Sequence, residues 1–145
     1  MQKLLFLCTG NYYRSRFSEE YFNFHAERLG LPWVADSMGI SQDFKGNGNV
    51  GPMSSHTVAE LARLEIEPRG PDRFPKSVSE ADLHSFDRII AVSVDEHLPM
   101  LQALWPDRLQ KLEYFDVEDL HLEGSETALP RLKRHLDELL SELQA

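Results

Sequence analysis

Lys3-Leu4-Leu5-Phe6-Leu7-Cys8-Thr9-Gly10-Asn11-Tyr12-Tyr13-Arg14-Ser15 (KLLFLCTGNYYRS) is the stretch on which the fold turns. Lys3 to Cys8 is a nearly unbroken apolar run without polar alternation, the pattern of a strand buried on both faces of a parallel sheet. Thr9-Gly10-Asn11 bounds it. From Ser15 the apolar positions Phe17, Tyr21, Phe24 and Leu29 recur at roughly helical spacing, until Gly30-Leu31-Pro32 ends the segment.

Outward from this unit the alternation continues. Trp33 to Met38 reads as a second strand, stopped by Gly39, and residues 41–52 carry three glycines and two asparagines, a loop long enough to be functional. Pro52 is expected at the first position of a helix bearing Val58, Leu61, Ala62 and Leu64. After an irregular Pro68–Pro75 region come a short helix from Ser79 to Phe86 with Ser79 as cap, a strand Arg88–Val92, and a helix marked by Leu98, Leu101 and Leu104 and closed by Pro106. Lys111 to Phe115 is a fourth short strand. An amphipathic helix beginning at Ser125 or Pro130 and running to Leu143 ends the chain, apolar at Leu129, Leu132, Leu136, Leu139, Leu140 and Leu143. The expectation is one domain, residues 1–145, of α/β class: an open, mainly parallel four-stranded sheet with helices on both faces. Ligands of such sheets bind beyond the carboxyl ends of the strands, where Cys8 lies.

The bulk numbers narrow the function. Apolar residues make up 41% and charged residues 27% of 145, as in ordinary globular domains. A net charge of −9 speaks against a nucleic-acid partner held by phosphate neutralisation, so any phosphate site must be local. No stretch reaches the length of a membrane span, and the apolar segment after Met1-Gln2-Lys3 is too short for a secretory signal; the expected location is the cytoplasm, with no membrane partner. The single cysteine cannot form an internal disulfide and is either inert packing or a nucleophile. Six histidines without ligand spacing predict no metal.

Cys8 sits at a strand end, separated by a loop of five residues from an Arg and a Ser that open a helix. Loop amides and the first helical turn can converge on one tetrahedral oxyanion, with the helix dipole adding positive potential. Thr9, Gly10, Asn11, Tyr12, Tyr13 and Ser15 are therefore candidate oxyanion-binding residues. Gly10 permits a tight turn, and Asn11 tolerates left-handed backbone and can tie the loop down. Arg14 can clamp phosphate with two parallel charged hydrogen bonds. The same field favours the thiolate of Cys8, the competent nucleophile, and Ser15 can donate to the sulfur.

LLFLCTGNYYRSRFSEE resembles the N-terminal signature of the low-molecular-weight protein tyrosine phosphatases, and the likeness spans nearly the whole chain. It implies hydrolysis of phosphate monoesters, foremost protein phosphotyrosine or a small aryl phosphate, through a phosphocysteine, with inorganic phosphate as product and no cofactor. It also makes Ser37, in Ala35-Asp36-Ser37, a brace of the phosphate loop. The family's general acid is an Asp followed by Pro; Val117-Glu118-Asp119-Leu120 aligns with that motif, so Asp119 is the expected acid, with Asp116 the competing choice and His121 a minor one. Leu120 replaces the proline, which removes a constraint on the backbone before it. Tyr13 stands where many members have a second cysteine, so no shielding disulfide is possible. The missing thiols weigh against an arsenate reductase, and Arg14-Ser15 against a phosphocarrier domain; a weakly active oxyanion-binding regulatory module is the remaining alternative. Tyr12 and Phe44 are candidates to line the cleft, and Arg16 and Lys45 to attract phosphopeptides.

Overall fold

A computed structural model describes residues 1–120 and 122–145. Strands β1 (Gln2–Cys8), β2 (Trp33–Gly39), β3 (Arg88–Ala91) and β4 (Leu112–Tyr114) form one parallel sheet in the order β2-β1-β3-β4. Helices α1 (Arg14–Arg28), α2 (Ser55–Arg63), α3 (Glu80–Ser85), α4 (Val94–Leu104) and α5 (Ser125–Gln144) connect and cover it, with a 3₁₀ turn at Pro106–Arg108.

β1 is central, which is why its sequence does not alternate: Leu4 to Cys8 are all buried, but their side chains divide between two cores. Leu4, Phe6 and Cys8 join Phe17 and Phe22 of α1 and Leu129, Leu132 and Leu136 of α5. Leu5 and Leu7 join Val78, Leu83 of α3 and Leu101 of α4 on the opposite face. The chain moves from β1 to β2 on one side, then returns to add β3 and β4 on the other. The order therefore reverses between β1 and β3, and a crevice opens beyond their carboxyl ends.

Several helix starts differ from the sequence expectation. α2 begins at Ser55, not Pro52, because Ser54 is the cap, its hydroxyl accepting from the His56 N–H at 3.2 Å. Pro52 instead gives its carbonyl to Arg16. α4 starts four residues before Leu98, capped by Ser93, and so brings Glu96 and His97 to the crevice. α5 begins at Ser125 and carries Pro130 inside its early turns. Ser79 caps α3 as expected, in a reciprocal box with Asp82. Among the described residues, no helix is long and apolar enough to cross a membrane.

Candidate active site

The loop after β1 is held by its carbonyls. Ile40 N–H donates to the Cys8 carbonyl (2.8 Å), Ser41 N–H to Thr9 (3.0 Å), Ser54 N–H to Tyr12 (2.9 Å) and the Thr57 hydroxyl to Tyr13 (2.9 Å). Among the described residues, no acceptor takes up the main-chain N–H of any residue from Thr9 to Ser15. A loop with these four carbonyls engaged and its donors unclaimed has the polarity of an anion nest. Asn11 makes the turn possible with φ 50°. Gly10 does not, contrary to expectation: its φ lies outside the left-handed region, and a Cβ there would meet only the Asn49 amide, at 3.5 Å.

Arg14 opens α1 and is 2% exposed. One terminal nitrogen donates to the Val117 carbonyl and the other to Glu96 Oε2, both at 2.9 Å, while Nε has no partner among the described residues. Burial opposes the charge of Arg14, but the Cys8 sulfur, Glu96 and Asp119 overcome it and push its pKa upward. The guanidinium is thus fixed, charged and left with a free donor edge.

Ser15 and Asn11 organise the sulfur. Ser15 Oγ lies 2.9 Å from Cys8 Sγ and accepts from Asn11 Nδ2 at 2.9 Å, so its own hydrogen is free for the sulfur. Asn11 Nδ2 also donates to Ser37 Oγ (2.9 Å). Asn11 Oδ1 accepts from Arg73 Nη1 (3.0 Å) and the Lys76 N–H (3.2 Å). Ser37 is therefore in contact with the loop's organiser, and its hydroxyl donates to Glu19 at 2.5 Å. Asn11 and Ser15 are fully buried; their side chains shape the loop and the sulfur rather than line the cleft.

Behind the loop lies a polar cluster that sequence reading did not find. The Thr9 hydroxyl donates to Glu96 Oε2, which also receives Arg14 and lies 3.1 Å from His97 Nε2. His97 is fully buried, and its Nδ1 accepts the Ser93 N–H at 3.1 Å, which places the proton of the neutral ring on Nε2. Burial works to raise the Glu96 pKa, but the hydrogen bonds from His97, Arg14 and Thr9, with the Arg14 charge, hold it far below the usual carboxylate range. Burial lowers the His97 pKa, with Glu96 opposing. The side chain of Thr9 is thus committed to α4, and only the rest of the residue is available to a ligand.

Asp119, not Asp116, reaches the cleft: its Oδ2 is 3.8 Å from Arg14 Nη2, while Oδ1 accepts the Leu120 N–H at 2.9 Å. Asp116 is held on α5, with Oδ1 2.6 Å from His135 Nε2. His121 lies outside the described residues. The cleft, about 240 Å³, has Cys8, Gly10 and Arg14 in its lining and Tyr12, Phe44, Asn47, Asn49 and Leu120 among its walls. Cys8 is 3% exposed yet borders this space. Tyr12 donates its hydroxyl to the Val50 carbonyl at 2.6 Å, tying the Gly/Asn-rich loop to the site. Tyr13 is buried against the cleft, its phenol pushed up to about 12 chiefly by burial, and stays neutral. Arg16 departs from expectation: it is fully buried and bonds the carbonyls of Pro52, Gly70 and Arg73, so it is not offered to a phosphopeptide. His97 is likewise fully buried. Among the described residues there is no group of three or more potential metal ligands.

A parallel sheet with a thiol, unclaimed amides and a buried arginine at its reversal point defines an α/β protein with a candidate oxyanion site. The chain belongs to the low molecular weight phosphotyrosine protein phosphatase family, which it matches over residues 3–144. The low molecular weight protein-tyrosine-phosphatase YfkJ of Bacillus subtilis (strain 168) is 30% identical, over 99% of this chain and 97% of its own. The crystal structure of YfkJ superposes with a TM-score of 0.83 at 28% identity, covering 99% of this chain and 95% of that one. That of the low molecular weight protein tyrosine phosphatase from T. tengcongensis gives 0.76 at 28% identity, covering 99% and 97%. The YwlE arginine phosphatase from Geobacillus stearothermophilus shares the fold, with a TM-score of 0.75 at 21% identity over 99% of this chain and 94% of its own.

Proposed function

We propose that this protein hydrolyses phosphate monoesters, protein phosphotyrosine foremost, through a phosphocysteine on Cys8. The observation that carries the reading is the loop from Thr9 to Ser15, whose main-chain amides are unclaimed among the described residues, with the buried Nε of Arg14 likewise unpartnered there. The phosphoryl group docks on these donors, which stabilise charge on its equatorial oxygens. The Cys8 thiolate attacks phosphorus, and the bond from phosphorus to the ester oxygen breaks. Asp119 gives its proton to that oxygen. A water then attacks phosphorus with Asp119 carboxylate taking its proton, the sulfur–phosphorus bond breaks, and the thiolate, steadied by Ser15, leaves with inorganic phosphate as the second product. Phe44 and Tyr12 support an aryl substrate, since both rings border the entrance to the sulfur.

Cys8→Ser should lower turnover of p-nitrophenyl phosphate roughly a thousandfold or more while phosphate still raises the melting temperature. Unchanged turnover rejects the mechanism. Because a relative of the same fold is an arginine phosphatase, phosphotyrosine and phosphoarginine peptides should be compared directly. Preference for phosphoarginine would reject the substrate class and leave the cysteine chemistry standing.

A further inference from the structure

The loop that carries Asp119 is tied to α5 on both sides of the carboxylate. Before it, Arg131 Nη1 donates to the Asp116 carbonyl at 3.1 Å, and His135, stacked on Phe115 with centroids 4.7 Å apart, meets the Asp116 side chain. After it, Arg131 Nη2 lies 3.1 Å from Glu123 Oε2 as an ion pair without hydrogen-bond alignment, while Glu123 Oε1 accepts the Glu118 N–H at 3.4 Å. Glu123 is only 10% exposed, so its carboxylate is directed inward at the loop it closes. Between these anchors the Asp119 carbonyl accepts the N–H groups of Leu122 and Glu123, both at 2.9 Å. The Asp116 carbonyl before Asp119 and the Glu123 carboxylate after it thus share one guanidinium. Leu120 supplies no ring constraint of the kind a proline would.

We propose that Arg131 and Glu123 are a positioning pair that aims Asp119 at the leaving-group oxygen, so that α5 sets the efficiency of proton transfer. The pair touches no substrate. Its work is orientation: an acid displaced by about 1 Å can cost on the order of a hundredfold in rate. This inference rests on Asp119 being the general acid.

Proton donation matters most for a basic leaving group, so the test compares phenyl phosphate with p-nitrophenyl phosphate in wild type, Asp119→Asn, Arg131→Gln, Arg131→Lys and Glu123→Gln. Arg131→Gln and Glu123→Gln should each lower kcat on phenyl phosphate about tenfold, with a change under about threefold on p-nitrophenyl phosphate and little change in KM. Arg131→Lys should recover part of the loss. If Asp119→Asn shows no leaving-group dependence, the acid assignment falls and the positioning pair with it. If Asp119→Asn does but Arg131→Gln and Glu123→Gln match wild type, or lower both substrates equally, the pair is overturned and the acid stands. Glu123→Gln provides the test independently should Arg131→Gln not fold.

Discussion

Arg14 receives its geometry from Glu96 and the Val117 carbonyl, and Glu96 in turn is shared by Arg14, Thr9 and His97. A half-buried carboxylate with that many donors is favourable only while each is present, because removing one leaves the others facing a partly desolvated charge. His97 is the titratable member with the least freedom. Its ring faces Glu96 and Thr9 on one side and the Ser93 N–H on the other, with the charges of Arg14 and Asp119 also acting on it. Its folded pKa lies below the ordinary value, so between the two values the unfolded chain binds the extra proton and stability rises with pH. The contribution is complete above the unfolded histidine pKa of about 6.5 and is lost as pH falls through the depressed folded value. Thermal melts at pH 7 and pH 5 should therefore show a drop in Tm, and His97→Gln, which keeps a donor toward Glu96, should shrink it. His25, also lowered by burial, leaves a remainder of the slope. An equal drop in His97→Gln would remove His97 from the account.

Gly39 ends β2 where the strand, the phosphate loop and the Gly/Asn-rich loop meet. A Cβ there would lie 2.9 Å from the Thr9 carbonyl oxygen and 3.0 Å from the Phe44 ring. The first contact is with main chain that cannot move without disturbing the amide nest. Gly39→Ala should cost about 1–3 kcal/mol in urea denaturation, as overpacking does, and raise KM for aryl phosphates as Phe44 is displaced. Wild-type values on both measures would mean that the neighbours yield freely. This junction also shows what could be read in advance. The strand–loop–helix unit from Lys3 to Ser15 was legible because its parts are contiguous and follow one periodicity after another, and Asn11 because its left-handed tolerance is intrinsic. Glu96 and Arg73 were not, since they reach the loop across 82 and 62 positions of chain and only sheet order brings them there. The early start of α4, hidden by reading its apolar positions rather than its Ser93 cap, concealed the same carboxylate.

Around this compact cationic point lies a molecule with 24 acidic and 15 Lys and Arg residues, a net charge of −9. The site's positive potential is short in range, because Arg14 is buried and Glu96 and Asp119 stand beside it. Out to about 10 Å from the surface at 0.1 M salt, and farther in dilute buffer, an approaching substrate feels the field of the whole protein. That field repels the phosphate dianion but attracts a peptide whose flanking residues are basic. Two phosphotyrosine peptides of equal length, one flanked by lysines and one by glutamates, should thus differ in kcat/KM by roughly fivefold or more at low ionic strength, the lysine peptide being preferred. Sodium chloride should narrow the ratio from both sides, slowing the basic peptide and speeding the acidic one, while the kcat values stay close. A preference that ignores salt would place selection in direct contacts at the cleft rim, and a preference for glutamates would mean that the local cradle outweighs the acidic surface at encounter distance.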